Sequence, residues 1–352
     1  MDEALKKLRG RIDKLDDEIL QRLSERAGIA QEVGRTKNGE TIYRPEREAQ
    51  ILRRLRDANP GPLSGDSIER LFREIMSSCR ALEQNLRVAY MGPAGNFSQA
   101  ATYKQFGHEI EALPEADIDG CFRAVETGRA DFAVVPVENS TEGAISRTLD
   151  LIVASPLKIC GEVMLPVHQT LMRKGDGLNG IQRVYGHAQS LAQCQNWLSR
   201  HLPNAERISV VSNSEGAQRA SQDTEAATLG SEVAAGLYGL NIIETRVEDE
   251  ASNTTRFLVL GTTDAAPSGR DKTSLVLGAR NQPGAIVQLL QPLADAGISM
   301  SKLESRPARS ANWEYLFFVV CEGHRSDARL AATLAKIEKG AAFLKILGSY
   351  PV

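Results

Sequence analysis

Leu5, Leu8, Ile12, Leu15 and Ile19 recur every three or four positions, and the same period runs on to Val33 before Asn38-Gly39 offers a stop. One helix over residues 2–37 would be roughly 50 Å long, more than a compact domain of about 90 residues can cover. A partner chain is therefore expected, with a homodimer as the simplest form. Pro45 suits the first position of a second helix carrying Ile51, Leu52 and Leu55, which Asn59-Pro60-Gly61-Pro62 ends. A third stripe follows: Ile68, Leu71, Phe72, Ile75, Met76, Cys79, Leu82 and Leu86. At Val88 the period changes towards strand, so an all-α helical domain is predicted over 1–87.

At 352 residues the chain exceeds what one core usually serves, so more domains must follow. Residues 88–262 alternate β-rich runs (VAYM, FAVVPV, ISVV, TRFLVL) with helical stretches, the pattern of an α/β domain. TTDAAPSGRD at 262–271 reads as a linker. Residues 272–352 give a βαββαβ order, which predicts an α+β ferredoxin-like domain. With 42 basic against 45 acidic residues the chain is no polybasic nucleic-acid binder, and no apolar run is long enough for a membrane span. A charged first segment without a signal-peptide core and five scattered cysteines predict a soluble, cytoplasmic protein without disulfides. Phosphate-loop, dinucleotide and zinc motifs are missing from the sequence, so no cofactor and no metal are expected.

Charges interrupt the apolar stripes. Arg26 and Lys37, eleven residues apart, share the helix face of Ala30 and Val33. Either they snorkel to solvent or they line a pocket. Arg9 lies about 26 Å from Arg26 along the axis and can join such a pocket only from an antiparallel partner helix. Glu48, next to Arg47, shares a face with Leu52 and Leu55, and Glu83 lies four residues after Cys79. Several cations and two carboxyl groups inside a bundle suit a small dianionic ligand. In the second domain, YMGPAGNFSQAAT predicts a strand, a glycine loop and a helix capped by Ser98, a start that can receive a carboxylate. Asn139, Ser140 and Thr141 fall at the end of a strand, where open α/β sheets place ligand loops; ordinary capping is the alternative. Gln193 and Thr254-Thr255-Arg256 complete the polar set, although strand alternation turns Arg256 away from Thr255.

LRGRIDKLDDEIL, ERAGIAQEVGRTK and YRPEREAQIL resemble the helical chorismate mutase domain fused to prephenate dehydratase, and GPAGNFS, PVENSTEGAI, HAQSLAQC and NTTRF resemble the dehydratase itself. The resemblance implies that Arg9, Arg26, Lys37, Arg47, Glu48, Cys79 and Glu83 hold chorismate, with Arg9 supplied by the second subunit. Lys37 would donate to the ether oxygen. Cys79 and Glu83 stand where relatives often carry Ser and Gln, and a carboxyl donates only when protonated, so burial is expected to raise Glu83 from about 4.3. In the dehydratase, a two-lobed α/β fold, Thr255 is implied as the essential residue, with Ser98, Asn139, Thr141, Gln193 and Arg256 binding prephenate. Gly186 replaces a serine common in relatives. NQPGAIVQLL and ESRP resemble the ACT regulatory domain, which implies a phenylalanine effector site at Gly284, Ala285, Ile286, Val287, Glu304, Ser305, Arg306 and Pro307. A plain dimerisation unit is the alternative there. A two-lobed metabolite sensor is the main rival for the whole chain, and arogenate is the rival substrate.

Overall fold

The computed structural model describes residues 2–36, 43–250, 252–279, 282–307 and 315–352. Lys37 and Asn281 lie outside them. Its chain divides into two compact units: Met1–Arg44 with Gln50–Leu86 and Phe106–Glu111, and Pro45–Ala49 with Arg87–Gln105 and Ala112–Val352.

The helices at the start of the chain are α1 (Asp2–Thr36), α2 (Pro45–Asp57) and α3 (Gly65–Ala81). Pro45 opens α2 as its sequence requires, and Ser64 caps α3 by accepting from the Ser67 amide. In α1, Leu8, Ile12, Leu15 and Ile19 are each 52–55% exposed. A stripe patterned for burial thus has no cover in a single chain.

From Arg87 the order is β1 (Arg87–Met91), α4 (Phe97–Phe106), β2 (Glu111–Glu115), α5 (Ile118–Glu126), β3 (Phe132–Asn139), β4 (Gly143–Ala144), α6 (Ser146–Ala154) and β5 (Lys158–Pro166). The chain then crosses to a second lobe of β6 (Thr170–Arg173), β7 (Arg183–His187), α7 (Ala188–Gln193), α8 (Gln195–His201), β8 (Glu206–Val210), α9 (Asn213–Ala220), β9 (Ala226–Gly230), α10 (Val233–Tyr238) and β10 (Asn241–Glu244). It returns as β11 (Thr254–Gly261). The first lobe's sheet runs β2-β1-β3-β11-β5 with β4 beside β3, and the second runs β10-β6-β9-β7-β8. The two crossings hold each other, the Val167 amide donating to Asn253 O and the Val247 amide to Gln169 O.

The last segment is β12 (Asp271–Gly278), α11 (Ala285–Asp295), β13 (Met300–Pro307), β14 (Tyr315–Glu322), α12 (Ala328–Gly340) and β15 (Phe343–Pro351), with the antiparallel order β13-β14-β12-β15. This is the ferredoxin-like arrangement. Alternation divides its sheet between two cores: Leu275 and Leu277 face α11 and α12, while Val276, Phe318 and Leu347 enter the first lobe's core with Val135, Ile152 and Leu258. Each such side chain contributes about 1.5–3 kcal/mol by burial. Where β15 crosses β5, a Cβ on Gly348 would overlap the Ile159 carbonyl, so glycine permits the approach.

Candidate active sites

Between the two α/β lobes lies a cavity of about 570 Å³, and strand ends place its lining: Met91 closes β1, Asn139 closes β3, His187 closes β7, and Ser231 follows β9. Carboxyl ends of strands in open sheets are where ligands bind. Asn139 is paired in register with Thr255 at the start of β11. Its Oδ1 accepts from the Thr141 and Glu142 amides at 3.0 and 3.3 Å, and amides can only donate. The Asn139 flip is thereby decided, and Nδ2 donates to Thr255 Oγ1 at 2.8 Å and to Asn253 Oδ1 at 2.9 Å.

Two consequences follow. Thr255 Oγ1 already accepts a hydrogen bond, so its own hydrogen is available to the cavity, and cooperativity makes that hydrogen a better donor. Asn253 spends its carbonyl on Asn139, which turns its Nδ2 towards the cavity that Asn253 and Thr255 both line. Gln193 also lines it, accepting from Gln169 Nε2 at 3.2 Å, while Gln169 Oε1 is buried with no protein partner among the described residues.

No lysine or arginine belongs to the lining among the described residues. Glu215 does. The Val211 amide and Arg219 hold its carboxyl below the usual range, so it stays anionic. An anionic ligand must therefore rely on neutral donors and helix starts, of which α4 is one.

The first turn of α4 departs from expectation. Asn96 caps the helix, its Oδ1 accepting from the Gln99 amide at 3.0 Å, and it lines the cavity. Ser98, expected as the cap, is buried inside that turn and does not reach the lining. Thr141 supports Asn139 through its amide and hydroxyl from outside the cavity. Arg256 requires a correction as a substrate cation. Alternation sends it to the reverse face of β11, where it bonds Glu162 at 2.8 Å and Tyr350 at 3.3 Å. Burial pushes Glu162 up, but Arg256 and Lys272 outweigh it and hold the carboxyl below its ordinary value. At Gly186, a Cβ would press on Leu191 at 3.2 Å.

Sequence reasoning missed Asn253, Gln169, Asn96 and His187 in the lining. The two-residue spacing from Asn253, just before β11, to Thr255 was the signal for the first. Nothing local marks Gln169, which arrives through the lobe crossing.

In the helices, Arg26 is half-buried and has no protein partner among the described residues; Arg9 is exposed on α1 and Arg47 on α2. Glu48 and Cys79 are buried. Glu83 leans on α1 at Gly34, where an added Cβ would lie 2.8 Å from its carboxylate, and its buried Oε2 has no partner among the described residues. In the ferredoxin-like part, Gly284 takes φ +77° immediately before α11, which Ala285, Ile286 and Val287 then open. Glu304, Ser305, Arg306 and Pro307 end β13.

A helical segment, a two-lobed α/β cleft and a ferredoxin-like sheet sharing the first lobe's core define a multidomain protein with a ligand cleft at its strand ends. Family profiles agree: chorismate mutase type II matches residues 8–84, prephenate dehydratase 88–265 and the ACT domain 273–339. The bifunctional chorismate mutase/prephenate dehydratase of Neisseria gonorrhoeae is 51% identical, covering 100% of this chain and 98% of that protein. That of Pseudomonas aeruginosa is 46% identical over 99% and 98%. The crystal structure of the Arthrobacter aurescens prephenate dehydratase in complex with L-Phe aligns with a TM-score of 0.68 and 31% identity, covering 75% of this chain and 89% of that one. The chain belongs to the bifunctional chorismate mutase/prephenate dehydratase family. It carries both activities, which lead from chorismate through prephenate to phenylpyruvate in phenylalanine biosynthesis.

Proposed function

We propose that the cleft drives dehydration by neutral hydrogen bonding, with Thr255 as the donor to the departing group. In this step the carboxylate on the prephenate ring leaves as carbon dioxide, its bonding electrons enter the ring, and the ring hydroxyl departs at the opposite carbon, taking up a proton to become water. Aromatisation supplies the driving force. The enzyme must stabilise a leaving hydroxide, and Thr255, whose oxygen already accepts from the Asn139 amide, serves as that donor. Asn253 and Gln193 orient the substrate, and the start of α4 receives a carboxylate. The observation that carries this reading is the fixed direction of the Asn139–Thr255 hydrogen bond. Its test is Thr255→Ala, which cuts dehydratase turnover at least about 100-fold and leaves the mutase rate unchanged. Retained dehydration removes Thr255 from the mechanism.

The mutase reaction is an intramolecular rearrangement that needs a folded substrate and a donor at the ether oxygen. Arg9 and Arg26 bind the carboxylates, Arg47 and Cys79 assist them, and Glu48 accepts from the ring hydroxyl. Lys37 and Glu83 serve the ether oxygen. Two observations support this assignment: among the described residues, the half-buried Arg26 and the buried Glu83 Oε2 have no protein partner. The uncovered stripe of α1 supports a homodimer in which Arg9 comes from the other copy. Phenylalanine is the effector of the ACT domain, supported by the L-Phe complex of the Arthrobacter aurescens enzyme. Domain limits of 1–87, 88–262 and 272–352 and a cytoplasmic location complete the proposal. Five buried, unbridged cysteines fit a reducing compartment.

A further inference from the structure

The catalytic pair Asn139 and Thr255 has a reverse face. The next register pair along the same two strands, Glu138 and Arg256, points there, towards the ferredoxin-like sheet. On β13 the residues Lys302, Glu304 and Arg306 are half-buried while Ser301, Leu303 and Ser305 are exposed, a strict two-residue period that aims the three charges at the first lobe. Lys302 Nζ lies 2.6 Å from Glu138 Oε2 and 3.2 Å from Glu304 Oε2, with Arg256 3.9 Å from the same Glu138 oxygen. Four residues on, Arg306 donates to the Ser146 carbonyl at 2.7 Å and lies 3.7 Å from Asp150, in the first turns of α6.

Glu138 and Ser146 are the two ends of the hairpin 139–145, which carries Asn139 and Thr141. One strand of the regulatory domain therefore grips the catalytic hairpin at both ends. We propose that β13 is the lever by which an effector on the ACT domain controls dehydration, with Lys302–Glu138 and Arg306–Ser146 as its two attachments.

The lever needs little travel. The Asn139–Thr255 hydrogen bond is 2.8 Å long, and at about 3.6 Å it ceases to be one, so a displacement under about 1 Å at Glu138 withdraws the amide that polarises Thr255. A rigid link transmits such a shift because the sheet and the lobe share one packed core. Lys302 is absent from the cavity lining and reaches the hairpin through Glu138.

This inference rests on phenylalanine being the effector, and the experiment separates the two. In the full-length protein, phenylalanine binding is followed by calorimetry and prephenate turnover is measured with and without saturating phenylalanine. Lys302→Met is expected to bind phenylalanine and to keep its effector-free dehydratase rate within about twofold, while the factor by which phenylalanine inhibits falls at least about fivefold towards one. Glu138→Gln, which alters the contact from the other side, loses the same coupling, and Lys302→Arg restores it. The phenylalanine isotherm of each variant reports that its regulatory domain is folded. Undiminished inhibition in Lys302→Met and Glu138→Gln overturns the lever alone. A parent protein that binds no phenylalanine overturns the effector reading and the lever with it.

Discussion

Asn139→Asp changes one atom and should reverse one hydrogen bond. The aspartate keeps an oxygen for the Thr141 and Glu142 amides, so the loop loses none of its support. Its second oxygen replaces the Nδ2 that donated to Thr255 at 2.8 Å and to Asn253 at 2.9 Å. Thr255 then turns its hydrogen onto the new carboxylate, a charge-assisted bond worth about 1.5–3 kcal/mol, and the departing hydroxyl loses its donor. Loss of one preorganised donor costs about 100- to 1,000-fold in kcat. Asn139→Asp should therefore match Thr255→Val in dehydratase kcat, and the double variant should be no worse than either, because both remove the same hydrogen. Phenylpyruvate formation from added prephenate measures the loss, with prephenate formation from chorismate in the same preparations as the control. A dehydratase kcat within about threefold of the parent, or losses that add in the double variant, would refute the reasoning.

In Glu83→Gln a permanent donor replaces a carboxyl, so mutase kcat should stay at or above that of the parent; a loss of about tenfold or more would dismiss Glu83 as a donor to the ether oxygen. Leu15→Glu plants a charge on the uncovered stripe of α1 and should cut mutase activity at least about 100-fold while prephenate turnover persists, a split read by paired assays and sedimentation. The Glu162 carboxyl is held below its ordinary value, so its contribution is complete above the unfolded value of about 4.5 and disappears as pH falls through the folded one. Denaturant melts of Glu162→Gln should accordingly lie about 3 kcal/mol below the parent at pH 7 and converge with it in acid.

Short-range signals were readable and long-range ones were not. The period of α1, the proline opening α2 and the βαββαβ order all depend on neighbours within a few residues. Asn139 and Thr255 could be named from local motifs, yet the bond between them spans 116 positions and exists only through the antiparallel register of β3 and β11. Alternation alone anticipated that Arg256 would leave the cleft, but its partners Glu162 and Tyr350 are each 94 positions away. The cap of α4 was misplaced by two residues because Asn96 and Ser98 are equally good capping types, and the turn decides between them. The grip of Lys302 on Glu138, 164 positions apart, has no local mark at all.

A cleft whose described lining holds no lysine or arginine has one further consequence. Mobile ions screen Coulomb attraction and scarcely touch bonds from neutral amides and hydroxyls, so ionic strength should weigh unequally on the two reactions. Chorismate held by arginines would lose affinity as salt rises, while prephenate, which faces the Glu215 carboxylate and no lysine or arginine among the described lining residues, would lose less. Raised ionic strength would thus slow the opening reaction more than the closing one.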